Sequence, residues 1–171
     1  MPALHEAGTR TRPVIELHDS ESVVLRALRA ATHGLLNNSP MFDVMHDILA
    51  GAGADPAVGP VDTLVGAVHC AAHRLVVVNC MHCPFLTGDE ERLLAAIACH
   101  QAGIGAATEA ILTPLVGPGH AAAVDLLVRH VAFTLAACDV VLPATWWRLQ
   151  LRHVDSSIPA PALAPLRLTR H

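Results

Sequence analysis

The sequence predicts an all-α protein, a single-domain bundle of five or six helices with extended arms at both ends. Hydrophobic residues make up 53% of the chain but aromatics only 3%, with no tyrosine, so the core must be built from Ala, Val and Leu. Such small aliphatic side chains suit closely packed helices better than sheets, where aromatic and β-branched residues are favoured. Apolar residues recur at helical spacing along most of the chain, and start and stop signals (Ser39-Pro40, Thr87-Gly88-Asp89-Glu90, Gly117-Pro118-Gly119) fall between the periodic stretches. A chain of 171 residues suffices for one buried core and is short for two. The expected division is an arm over 1–18, a bundle over 19–142 and a tail over 143–171.

The elements follow in order. Residues 14–18 can form a short strand or an extended lead-in. Asp19 or Ser20 then caps a helix reaching Asn37, with Val24, Leu28, Ala31 and Leu35 inward and Ser22, Arg26, Arg29 and His33 on a solvated face. Ser39-Pro40 opens a second helix over 40–50, placing Met41, Phe42, Met45, Ile48 and Leu49 inside and Asp43, His46 and Asp47 outside. The Gly/Ala/Pro stretch 51–60 is a loop. A third helix is expected over 61–78, although the three consecutive valines Val76-Val77-Val78 also permit a strand over 75–79. Thr87 and Glu90 form a capping-box pattern, and Asp89, Glu90 and Glu91 match the positive end of the helix that follows. Along that helix Leu93, Leu94, Ile97 and Gln101 point inward, with His100 at the edge and Cys99 toward the Arg92 side. Two more helices, over 106–116 and 120–138, complete the bundle. Residues 146–152 alternate polar and apolar, a period-two pattern that can pair with 14–18 as a terminal β-ribbon, and the Pro-rich end is an extended tail.

Composition removes several function classes. All eleven basic residues are arginines, scattered along a chain of formal net charge −4 with histidines neutral, so the basic footprint of a nucleic-acid binder is missing. No N-terminal apolar core of a secretion signal is present, and no stretch offers roughly 20 uninterrupted apolar residues for a membrane span. Five cysteines without regular spacing do not make a disulfide scaffold, which favours a reducing, cytoplasmic setting. Charged residues are only 15%, against roughly a quarter in average globular chains. With so little charge to cover the outside, apolar surface is expected to be buried between copies, in a homodimer or larger homo-oligomer.

Chemistry concentrates between His69 and His100, which holds four of the five cysteines. Cys80-Met81-His82-Cys83 places two thiols three apart across a turn, a spacing that can grip one tetrahedral ion or cycle between dithiol and disulfide. His69 and His73 stand at i and i+4, the helical spacing that lets two imidazoles share a metal. If the third and fourth helices form an antiparallel hairpin, His100 returns to their level. The candidate metal ligands are therefore Cys80, Cys83, His82, His73, His69 and His100, and zinc is the favoured ion. Cys70, Cys99 and Cys138 are expected to be small apolar filler. No Glu stands between the histidines as in metalloproteases, Pro84 rather than His follows Cys83 and so removes haem attachment, and no nucleophile triad or phosphate-cradling loop is present. No catalytic residue is assigned. Three classes remain: a zinc-binding module of structural or sensory purpose, a non-catalytic interaction or oligomerisation module, and a thiol–disulfide protein using Cys80 and Cys83.

Overall fold

A computed structural model describes residues 12–37 and 41–143. Six helices pack together: α1 (Asp19–Asn37), α2 (Met41–Gly51), α3 (Val58–Ala71), α4 (Gly88–Gln101), α5 (Thr108–Val116) and α6 (Pro118–Ala137). Single 3-10 turns lead into α1, α3 and α5, and no strand occurs among the described residues. The all-α bundle is the class the aliphatic, aromatic-poor composition predicts. Trp146, Trp147 and the expected tail lie outside the described residues, as do 1–11 and the Ser39-Pro40 pair.

α6 is the hub. It packs on α3, α4 and α5, while α1 and α2 form a hairpin joined to the rest through α3 and α4. Its buried line Ala121, Val124, Val128, Val131, Ala132 and Leu135 follows the three-and-four spacing read from the sequence. By length and composition α6 is the one described helix apolar enough to cross a membrane. It carries Asp125 and Arg129, however, and its contacts with three helices give it the place of a core element. After α6 the chain is held by Gln101, whose side chain donates to the carbonyls of Ala132 and Val140 and accepts the Leu142 amide.

Several expectations need correction. Residues 14–16 form a 3-10 turn instead of a strand, and the backbone beside it pairs with the middle of the chain: the Val14 amide donates to Pro84 and the Leu86 amide to Arg12. This short bridge joins Pro13 to Phe85, and the expected ribbon partner, 146–152, lies outside the described residues. α1 starts at Asp19, and it is Glu21, not Asp19 or Ser20, whose carboxylate accepts the preceding His18 amide. Leu35 and Phe42, expected inside, are about half exposed because both lie at the outer end of the α1–α2 hairpin.

The largest difference concerns α3. It stops at Ala71, seven residues short of the expected 78, and residues 72–87 run in non-helical conformation to α4. The valine run thus leaves the helix, as its β-branched side chains permit, but pairs with side chains instead of a strand. α3 packs on α6 and α1 rather than along α4, so the expected α3–α4 hairpin is not formed.

Candidate functional site

The candidate site is the 72–87 crossing and the residues that fix it. Its anchor is the start of α4, where the predicted capping box is formed in full: Thr87 Oγ1 accepts the Glu90 amide at 3.1 Å and Glu90 Oε2 accepts the Thr87 amide at 2.8 Å. Glu90 does more than cap. Its other oxygen accepts the Asn79 amide at 3.0 Å and Arg29 Nε at 2.7 Å, and Arg29 Nη2 reaches Oε2 at 3.1 Å. Arg29 and Glu90 are each 1% exposed. Two opposite charges taken out of water hold only when their remaining hydrogen-bonding positions are also filled. Here the guanidinium meets that condition by donating to the carbonyls of Cys83 and Phe85, at 2.9 and 2.8 Å. The loop carrying the two cysteines is therefore pinned by a buried ion pair reaching up from α1 and α4.

Sequence reading placed Arg29 on the solvated face. The correction has a helical reason: Leu25, one turn earlier on the same line, is fully buried, so the inward arc of α1 is wider than the stripe through Val24, Leu28 and Ala31. An Arg one turn after a buried Leu was the available signal, and only a distant carboxylate makes that position tolerable.

A second ion pair fixes the first half of the crossing. Arg74 grips Asp89 through both terminal nitrogens, at 2.8 and 2.6 Å, and its Nε donates to the Pro114 carbonyl on α5. Asp89 also accepts the Val77 amide at 2.9 Å. Burial pushes the Asp89 carboxyl upward, but the hydrogen bonds from Arg74 and the Val77 amide, with the charges of Arg74 and Arg92, outweigh it and hold Asp89 below its ordinary value. A folded value below the unfolded one means that the unfolded chain binds more protons, so stability rises with pH in that range. The contribution is complete above the ordinary Asp value near about 4 and is lost as pH falls through the lower folded value. Urea midpoints measured from neutral pH downward are therefore expected to fall in that acid range, and Asp89→Asn, weaker at neutral pH, is expected to flatten that part of the profile.

The structure distributes the six sequence candidates over separate surroundings. His69, on α3, donates from Nδ1 to the Val65 carbonyl one turn back, and its Nε2 is buried without a hydrogen-bond partner. His73 lies beyond the end of α3, exposed and near Gly117, so it does not share a helix face with His69. His100 is buried rather than at the edge, with Nε2 2.8 Å from Asp125 Oδ1 on α6 and 3.2 Å from Thr108 Oγ1 on α5. His82 is exposed on the loop between Cys80, also exposed, and the half-buried Cys83. Among the described residues no group of three or more His, Cys, Asp or Glu side chains is placed to hold a metal ion. Of the candidates, the fold keeps Cys80, His82 and Cys83 together on one turn, closed by the Cys83 amide donating to the Cys80 carbonyl at 3.1 Å.

The other cysteines divide unevenly. Cys99 is fully buried in α4, and burial pushes its thiol up to about 11, consistent with filler. Cys138 is half-buried against the core. Cys70 is exposed, contrary to the filler expectation, one residue before the end of α3, where an open hollow separates it from α6.

Comparison with known proteins returns no matching family model, no matching curated protein and no matching solved structure. The reading of function therefore rests on the chain's own surface and site.

That surface carries several large apolar side chains. Leu126 and Phe133 stand two turns apart on α6, 55% and 57% exposed, and Ile15, Leu75, Val77 and Phe85 are exposed around the crossing. Beside α6, a hollow of about 360 Å³ opens against α3, lined by Ala67, Cys70, Ala71, His120, Ala123 and Leu127 among others.

Proposed function

We propose that this chain is a non-catalytic helical interaction module whose first partner is a second copy of itself. The observation that carries the reading is the pair of large side chains, Leu126 and Phe133, standing in water on the outer side of the central helix. Each is already nearly half covered, so completing its burial is worth about half of the roughly 1.5–3 kcal/mol of a fully buried large side chain. Single exposed apolar residues are ordinary, but here they occur on a chain with only 15% charged residues, and an open hollow of about 360 Å³ lies along the same helix. α6 thus supplies both a projection and part of a recess, the requirement for a self-complementary, two-fold contact. The reading carries the sequence-based expectation of a homo-oligomer and leaves the cysteine pair free for separate work. A zinc-binding role gains no support of this kind, since among the described residues His82 and the two cysteines of the turn do not form a group of three placed to hold one ion.

Light scattering tests it. The wild-type chain is expected at a multiple of its 18.0 kDa mass at micromolar concentration, with or without a chelator. Replacing Leu126 and Phe133 together by Glu is expected to return it to a single copy with unchanged helical circular dichroism. A wild-type mass of one copy rejects the reading, and dissociation by the chelator transfers the assembly to a bridging metal.

A further inference from the structure

We propose that Cys80 and Cys83 form a redox-active dithiol that exchanges with small disulfides bound in the groove beside Cys83. The turn supplies the geometry. A hydrogen bond from the amide of residue i+3 to the carbonyl of residue i closes a β-turn with its end Cα atoms less than about 7 Å apart. That spacing overlaps the roughly 4.4–6.8 Å that disulfides span. Cys83 and Cys80 are the ends of such a turn, and both are free thiols.

The backbone of this turn is held from outside the turn itself. Arg29 binds the Cys83 and Phe85 carbonyls, Glu90 binds the Asn79 amide, and the Asn79 side chain donates to Phe85. With both flanks fixed, the two oxidation states differ by side-chain rotation about a common backbone, and neither has to unfold the loop.

The third observation is the groove. About 600 Å³ in volume, it is walled by Val14, Ile15, Met81, Pro84 and Phe85, with Cys83 along one side and Arg26 at its rim. That volume is in the range of small-molecule sites, roughly 300–1,000 Å³. Arg26 is exposed, and no hydrogen bond or ion pair to a described residue engages it. A largely apolar wall, lined also by the exposed guanidinium of Arg26, by His82 and by the buried, Glu90-paired Arg29, suits a small disulfide that carries a carboxylate.

The exchange balances within these groups. The Cys83 thiolate, facing the groove, attacks one sulfur of the bound disulfide; that S–S bond breaks, and the departing sulfur leaves as a thiolate and takes up a proton. The Cys80 thiolate then attacks the Cys83 sulfur, forming the Cys80–Cys83 disulfide and releasing the second half of the substrate as a thiol. Two electrons pass from the dithiol to the substrate, and the two protons lost by the cysteines end on the two released thiols. The reverse sequence oxidises a small thiol.

Oxidised glutathione, a disulfide bearing carboxylates, is the probe. Brief exposure of the reduced full-length chain, followed by acid quench and peptide mass spectrometry, is expected to show the loss of two hydrogens across a Cys80–Cys83 cross-link. Exposed Cys70 should still be largely free at that time, and Cys99 unreacted. Cys80→Ser is expected to trap one glutathione on Cys83. Arg26→Gln should slow glutathione disulfide roughly twofold to fivefold, the effect of an exposed ion pair, and leave the neutral hydroxyethyl disulfide unaffected. The proposal is overturned if Cys80 and Cys83 react as separate thiols at the rate of Cys70, or if their cross-links join different copies. Equal slowing of both disulfides by Arg26→Gln overturns the carboxylate preference. The Leu126 and Phe133 variant, run in parallel, keeps this result apart from self-association.

Discussion

Arg29→Ala is expected to lower stability by about 3–5 kcal/mol, the loss that follows when one member of a buried ion pair is removed and its partner stays charged without compensation. Glu90 would keep its amide donors from Asn79 and Thr87, but the carbonyls of Cys83 and Phe85 would lose the guanidinium they share. The effect should therefore have two readouts. Urea unfolding followed by circular dichroism would report the global loss, and limited proteolysis would report faster cleavage within 79–86. Arg26→Ala, one turn away on the exposed side of α1, is the control and is expected within about 0.5 kcal/mol of wild type. Equal stability of the two variants would mean that the Arg29–Glu90 contact does not organise the loop.

Leu94→Ala should cost about 2–5 kcal/mol and fall in the upper part of that range. The cost of a deleted core side chain depends on how far the surroundings can close the void. Leu94 is fully buried on α4, and the buried residues next to it in the chain include Ala95, Ala96 and Ala98, whose single methyl groups have no rotamers with which to fill space. A core built on alanine is tightly packed and poorly able to relax. The measurement is the same urea transition, with an unchanged slope showing that the denatured state is not altered. A loss under about 1 kcal/mol, the size of a tolerated volume-conserving swap, would show that the core around α4 collapses into the gap.

Much of the architecture could be read from residues close in sequence. The boundaries of α1, α2 and α6 were placed within two residues, because periodicity and breakers act over a few positions. The Thr87–Glu90 capping box was identified in full, since all its atoms lie within four residues. The end of α3 was missed, because Ala72 to Val78 continue an apolar pattern that serves a helix and an extended chain equally well. What stops the helix is Asp89, Glu90 and Thr87 offering side-chain partners to the backbone of Val77 and Asn79 and to the Arg74 guanidinium.

The candidate site divides along the same line. Cys80 and Cys83 stay together because only three peptide units separate them and one hydrogen-bonded turn closes the gap. The pairing of His69 with His73 depended on α3 running past residue 73, and it ends at Ala71; bringing His100 to them depended on a hairpin between two particular helices, and α3 packs on other helices instead.

The sequence alone settled the helical class, the positions of most helices, and the placing of two cysteines on one turn, all of which follow from composition and from contacts within about one helical turn. Only the tertiary structure decided that Arg29 is buried, that the chain between α3 and α4 is extended, and that His100 meets Asp125. Arg29 and Glu90 are 61 positions apart. At that separation neither residue's neighbours carry information about the other, and only the free energy of a charge left in the core without its partner brings them together.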